Sequence, residues 1–536
     1  MADKAPAQQG AGWRLPLHWL RRFRTLLRTG PGKRNLTLVA ILNAGAGGSE
    51  YAARMVTTFI VQPLVVAALG SFGFGAWQVI QSTVSYAAPL GGKPTHALKW
   101  TLATMQESED FGEKRRQVAS GLVIALLLSP VVIVGGAALA WFLPGWLSAP
   151  ERWMLPLRVA IAIVTADVVV TNLLALPRAV LEGENLAYRR LGITVLIILA
   201  GGGLTVAAVA LDTGIVGIAT AVLLTSIMSL FTYLRIASRE VSWFGLDRPS
   251  RADVRRFLGL GVWFMAWSLV NQGIRRSDVV VLGLVASAAL VTEYTLASYL
   301  PTTIGAVVLV GLTGVTPGLG GLMGVGRLDK VRALRHELAR FTWMLTLPAA
   351  VAVVLLNRSF LALWVGETFY PGTLEVALIV ILALQLVYVR NDANIIDLSL
   401  DLRIKVLLGV VTVALSVGLG WLLMESLDSG IVGLVLGYLL GRSVTLVGYA
   451  KIVSSLVDDR LGSQVRRLAR PVLVGAALLA AAAYASELVF IQNWLVLILA
   501  GIGVFALAAA LLLSLGFDGK ARTAVVERFR AARPGR

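Results

Sequence analysis

Residues 261–284 read GVWFMAWSLVNQGIRRSDVVVLGL. The stretch is long and apolar enough to cross a bilayer, which takes about 20 residues of helix. Its middle nevertheless holds Asn271, Gln272, Arg275, Arg276 and Asp278. A charge at the centre of a membrane helix costs ~2.5–3.5 kcal/mol on insertion scales. Two arginines and an aspartate packed so closely therefore face a partner helix or a water-filled cavity, not lipid. That reading sets the fold class: an all-α, polytopic membrane protein.

Composition agrees. Of 536 residues, 57% are hydrophobic and only 15% charged, too little charge to keep a soluble surface dispersed. The absence of cysteine excludes disulfides and thiolate metal sites. The three histidines, His18, His96 and His336, fall outside the expected spans, so a membrane-embedded histidine metal centre is not expected. No cofactor is expected.

Apolar spans recur along the chain near 44–69, 72–90, 118–141, 153–176, 191–211, 215–234, 257–284, 291–315, 341–356, 374–398, 406–424, 431–452, 472–486 and 494–515, about fourteen helices. The net charge of +18 is spread over alternate loops. Lys114, Arg115 and Arg116, then Arg189 and Arg190, then Arg248 to Arg256, then Arg466, Arg467 and Arg470 all fall on one side, while the opposite loops are short and nearly free of Lys and Arg. By the positive-inside rule both termini are cytoplasmic. Dispersed topogenic charge is not a nucleic-acid groove, so no nucleic-acid partner is expected. Residues 1–35 interleave Trp13, Trp19, Leu20 and Phe23 with Arg14, Arg21, Arg22 and Arg24, the pattern of a basic amphipathic segment on an anionic leaflet.

An internal repeat organises the spans. LDTGIVGI at 211–218 returns as LDSGIVGL at 427–434, each copy leading into an even-numbered span. Two halves of like orientation follow, a parallel repeat. The expected architecture is two pseudo-symmetric six-helix lobes plus a C-terminal helix pair. Its parts are a basic segment 1–35, an N-lobe 36–245, a cytoplasmic linker 246–256, a C-lobe 257–456, the extra pair 457–516 and a basic tail 517–536.

Polar residues inside the spans are the candidate site. Glu50 and Arg54 share a face of span one; Asn271, Arg275 and Asp278 share one in span seven; Arg390, Asn394 and Asp397 do so in span ten, with Asp392 nearby; Asp167 lies in span four. Local pairing could neutralise Glu50–Arg54. It fails in span seven, where two arginines meet one aspartate. Arg390 and Asp397 could also snorkel to the interface, and Arg442, near a span end, reads as a helix-packing or interfacial residue. Surplus arginine suits an anion with several oxygens, since guanidinium forks bind phosphate bidentately and keep their proton. Arg275 and Arg276 are the first choice for a diphosphate, then Arg54, then Arg390. Asp278, Glu50 and Asp397 are candidate coupling carboxylates, for H⁺ or Na⁺ or in response to the membrane potential.

The segment LVVAALGSFGFGAW (Leu64 to Trp77) resembles the first-hairpin signature of the polysaccharide transporter family, and so do SDVVVLGLVASAALVTEYTLA (Ser277 to Ala297), GIVGIATA at span six and FLALWVGETFY (Phe360 to Tyr370). That family belongs to the multidrug/oligosaccharidyl-lipid/polysaccharide exporter superfamily, with the lipid II flippases and the MATE exporters. The resemblance implies a non-enzymatic flippase of the bacterial inner membrane. It would move undecaprenyl-diphosphate-linked oligosaccharide to the periplasmic leaflet by alternating access of two lobes, for exopolysaccharide, capsule or O-antigen assembly. Polysaccharide polymerase and export machinery are the implied partners. A lipid II flippase, a drug/cation antiporter of the same fold and, further off, a membrane glycosyltransferase or polymerase stay open as alternatives.

Overall fold

The computed structural model describes residues 36–87, 94–313, 315–398, 402–459 and 461–517; the basic segment 1–35 and the tail beyond Phe517 lie outside them. In chain order the helices are α1 Leu36–Val84, α2 Pro94–Thr104, α3 Phe111–Trp146, α4 Glu151–Gly183, α5 Leu191–Ala210 and α6 Gly214–Glu240. Then come α7 Arg251–Val285, α8 Ala288–Ala297, α9 Tyr299–Thr313, α10 Thr316–Gly324, α11 Leu328–Trp364 and α12 Thr373–Leu398. The chain ends in α13 Leu402–Leu427, α14 Gly430–Leu456, α15 Leu461–Ser486 and α16 Trp494–Leu511. No strand occurs among the described residues.

Eleven of these helices are long and apolar enough to cross a membrane, or twelve when the bent pair α8 and α9 counts as one span. Two further features account for the larger number expected from sequence. Helix α1 is broken at Gly70, whose φ of 67° and ψ of −179° leave the helical region and join two arms. Helix α7, 35 residues long, is the expected span seven; Arg275, Arg276 and Asp278 keep its described side chains out of the apolar count.

The repeat appears as matched geometry. Asp212 and Asp428 both adopt left-handed backbone, φ 50° and 46°, a conformation that aspartate tolerates better than most side chains. Each closes one helix, and two residues on, the equivalent glycines Gly214 and Gly430 open α6 and α14, both 27 residues long. Helices α3–α6 pack mainly with one another, α7–α14 form the second lobe, α1 packs as much against α7 and α8 as against α4, α5 and α6, and α15 and α16 attach to α11.

Two expectations change. Span eight is bent by 48° between α8 and α9. Pro301 cannot donate to the carbonyl of Ala297, and the side-chain amide of Asn357 takes that acceptor at 3.3 Å. The ninth span, expected over 341–356, runs on past Asn357 as α11 to Trp364, leaving only residues 365–372 before α12. At its other end α11 begins at Leu328, because the charged residues of 328–340 extend the helix beyond the apolar stretch.

The lobes meet at the end that carries the short loops. Thr292 of α8 donates to the Ser71 carbonyl at 2.5 Å, and a side chain at Gly75 would collide with the Ala288 carbonyl. Further along α1, Tyr299 donates to Met55 O (3.3 Å), Trp364 to Phe59 O (2.8 Å) and Tyr51 to Thr303 O (3.4 Å). Phe59 stacks on Trp364 at 5.6 Å, and Tyr299 and Phe360 close on the same indole at 4.5 and 5.1 Å. This aromatic plug ties α1 to α9 and α11.

Candidate functional site

Helix α7 is held in the C-lobe by a buried polar network. Asp278 Oδ2 accepts from the Tyr294 hydroxyl at 2.8 Å and lies 3.8 Å from Arg442 Nη2. Arg442 also donates to the Ile274 carbonyl at 2.5 Å and packs over the Tyr438 ring at 5.3 Å. Tyr438 in turn donates to Ser277 Oγ at 2.8 Å. In hydrocarbon every one of these groups needs a partner, so they close on one another.

The network fixes which way α7 faces. With Ser277 and Asp278 turned into the lobe, Arg275 and Arg276 are turned out and solvent-exposed. The charges acting on Arg275 are those of Arg390, Arg276 and Asp278, so α7 and α12 bring three arginines together. Asp278 is spoken for by Tyr294 and Arg442. Among the described residues no carboxylate lies within ion-pair distance of Arg275, Arg276 or Arg390. Exposed guanidinium in a membrane-embedded stretch requires water around it, so this cluster borders a wet cleft. Asn271 and Arg390 line one cavity together with Trp267, Gln385, Arg442 and Tyr449. Tyr86, at the end of α1, lies against Ser277 and Arg276, and Gln272 donates to the Ser85 carbonyl at 3.1 Å. The N-lobe therefore touches the cluster directly.

The other candidates are placed as follows. Arg54 pairs with Glu50 at 3.1 Å yet stays 60% exposed. Glu50 also approaches Arg190 at 3.8 Å, and Arg190 binds Glu182 at 3.0 Å. Glu182 gathers Arg178 (3.0 Å) and Lys99 (3.1 Å) as well. Four cations share two carboxylates, so the N-lobe wall is also positive. Asp392 is gripped by both prongs of Arg335, at 2.7 and 2.6 Å, and faces away from Arg390. Asp397 pairs with the fully buried Lys405, which lies 4.2 Å above the Trp267 ring. Asn394 is half-buried. Asp167 lies beside Ser226 and keeps a buried Oδ1 without a partner.

Sequence reasoning missed Arg178, Glu182, Arg190, Lys99 and Tyr86. All but Tyr86 lie in or beside segments whose charge reads as loop. Arg442, taken for a packing residue, is the ion-pair partner of Asp278. No group of His, Cys, Asp and Glu suited to a metal occurs among the described residues.

The fold is shared with solved structures of polytopic membrane proteins. A structure of the lipid II flippase MurJ in an inward closed conformation aligns with a TM-score of 0.65 over 88% of this chain and 99% of its own, at 12% identity. An inward-facing multidrug resistance MATE family transporter of the MOP superfamily aligns at 0.57 over 76% and 95%, at 16% identity. MATE in complex with MaL6 aligns at 0.55 over 80% and 99%, at 15% identity. No curated protein matches the sequence. Residues 113–372 match the family described as polysaccharide biosynthesis protein. That match covers 260 of the 536 residues, just under half of the chain.

Proposed function

We propose that this protein is a flippase for prenyl-diphosphate-linked oligosaccharide, moving it from the cytoplasmic to the periplasmic leaflet of a bacterial inner membrane. The observation that carries this is the trio of exposed Arg275 and Arg276 and half-buried Arg390, without an acidic partner among the described residues. A diphosphate offers oxygens that guanidinium forks bind in pairs. The positive N-lobe wall around Arg54 and Arg190 supplies a second set of donors once the lobes rock. A cationic drug is disfavoured by the same charges.

Orientation follows from the loops: the basic ends face the cytoplasm. The aromatic plug then lies on the periplasmic side, and the arginine cluster awaits substrate from within. The match of residues 113–372 to the polysaccharide biosynthesis family supports a glycan substrate, and the fold shared with the lipid II flippase supports a transport role. Polymerase and export machinery are the natural acceptors of the product. Coupling is assigned to Asp167, since Asp278, Glu50, Asp392 and Asp397 are all held in ion pairs.

The test is binding of a synthetic prenyl-diphosphate glycolipid to purified protein, wild type against Arg275→Ala/Arg276→Ala. A loss of at least about tenfold, 1.4 kcal/mol, is expected. Equal binding by both proteins removes the pair from the site. Binding of a cationic dye in place of the glycolipid replaces this function with drug export.

A further inference from the structure

A second basic cavity lies between the C-lobe and the C-terminal helix pair. Arg335, His336 and Arg340 of α11, Tyr388 of α12, Arg467 of α15 and Phe517 line it, around about 730 Å³ of empty space counted out to its open mouth. It belongs to the end of the bundle with the basic loops, and Arg390 is not among its lining residues.

The cavity is built, not incidental. Arg335 is buried, and Asp392 fixes its Nε and Nη2. Its Nη1 is buried without a hydrogen-bond acceptor, 3.6 Å from Asp459 Oδ2. Asp459 also meets His336 Nε2 at 3.0 Å. Arg340 and Arg467 have no ion pair among the described residues, and both act electrostatically on His336 together with Arg335. Three arginines thus stand over two aspartates, with the surplus on the two that are unpaired. A buried donor left without an acceptor is destabilising, so the site gains from an anion that supplies one.

We infer that this cavity binds a phosphate group at the cytoplasmic face. Guanidinium groups from two helices, α11 and α15, match the several oxygens of a phosphate better than a single carboxylate. The Tyr388 hydroxyl adds a neutral donor. The rim favours a lipid headgroup as the source: Leu515, beside the lining residue Gly516, is exposed, as are Val472 and Leu473 on α15. An acyl chain can lie along these residues while the headgroup enters. The occupant would tie the helix pair to α11 and α12.

The experiment uses the full chain carrying Arg275→Gln/Arg276→Gln, so that the arginines of the proposed substrate site do not contribute and failure of that proposal is read separately. The protein is held in phosphatidylcholine–detergent micelles. Melting temperature is followed against added phosphatidylglycerol in one arm and inorganic pyrophosphate in the other. A saturable rise with phosphatidylglycerol is expected. Its midpoint should move at least about tenfold when Arg340→Gln/Arg467→Gln is added, and less with Arg340→Lys/Arg467→Lys, which keeps charge and loses the forks. A saturable rise with pyrophosphate alone, lost in the same variants, assigns the site to a soluble phosphate. No saturable rise in either arm, or a midpoint indifferent to the variants, overturns the inference.

Discussion

The carboxylate of Asp278 lies 3.8 Å from the guanidinium of Arg442, on a helix of the same lobe far along the chain. Arg275, one helical turn away, is left without that partner. Both groups of the pair are buried, Asp278 at 8% and Arg442 at 5% exposure. Removing one member of a buried pair typically costs about 3–5 kcal/mol, because the other charge is stranded. Arg442→Ala should therefore lower the melting temperature of the solubilised protein sharply. Adding Asp278→Asn should restore much of the loss, since the amide still accepts from Tyr294 without a charge. A single variant as stable as wild type would show the pair to be dispensable.

Asn357 is fully buried and donates to the carbonyl that Pro301 leaves free. Asn357→Ala should cost about 1–3 kcal/mol, the penalty of an unsatisfied buried acceptor. Asn357→Asp should cost more, since a carboxylate brings no donor and adds a charge. Thermal unfolding of the three proteins ranks them. Pro301→Ala in the Asn357→Ala background should recover stability, because the new N–H can reach the Ala297 carbonyl. Failure to recover would place the role of Asn357 elsewhere.

How far such features were legible depends on whether the signal is local. Arg275 and Arg276 stand out because charge interrupts an apolar run. The matched turns at Asp212 and Asp428 stand out because eight residues recur nearly intact. The partner of Asp278 was not legible, since sequence spacing offers Arg275 at i−3 and gives no sign of Arg442. Glu182 and Arg335 were hidden differently: they lie on helical extensions where charge density reads as loop. Their partners, Lys99 and Arg190 for one and Asp392 for the other, arrive through tertiary packing. The bend at span eight had a signal in Pro301, but its compensating donor came from another helix.

Gly75 allows α1 to approach the Ala288 carbonyl so closely that a Cβ cannot fit. Gly75→Val should force the lobes apart at the short-loop end. The chain has no cysteine, so Thr292→Cys, at a position with no solvent exposure, gives a single reporter. Maleimide should leave this thiol unmodified with Gly75 in place and label it readily in the Gly75→Val background. Equal labelling would mean that the contact does not seal the lobes. Transport should fall as well, because alternating access needs both closed and open states.

Asp167 is the candidate carboxylate with a buried oxygen and no partner for it, its other contact being Ser226. A group in that position can take up H⁺ or Na⁺ without first breaking an ion pair, unlike Glu50 or Asp397. Asp167→Asn should leave glycolipid affinity unchanged, since the arginine cluster lies in the other lobe. In proteoliposomes the same variant should lose acceleration of transport by an imposed proton or sodium gradient, keeping only the ungated rate. Arg54→Gln is expected to do the reverse, weakening binding while keeping the gradient effect. Should Asp167→Asn retain full gradient dependence, the coupling group must be one of the paired carboxylates, and its ion pair must open during the cycle.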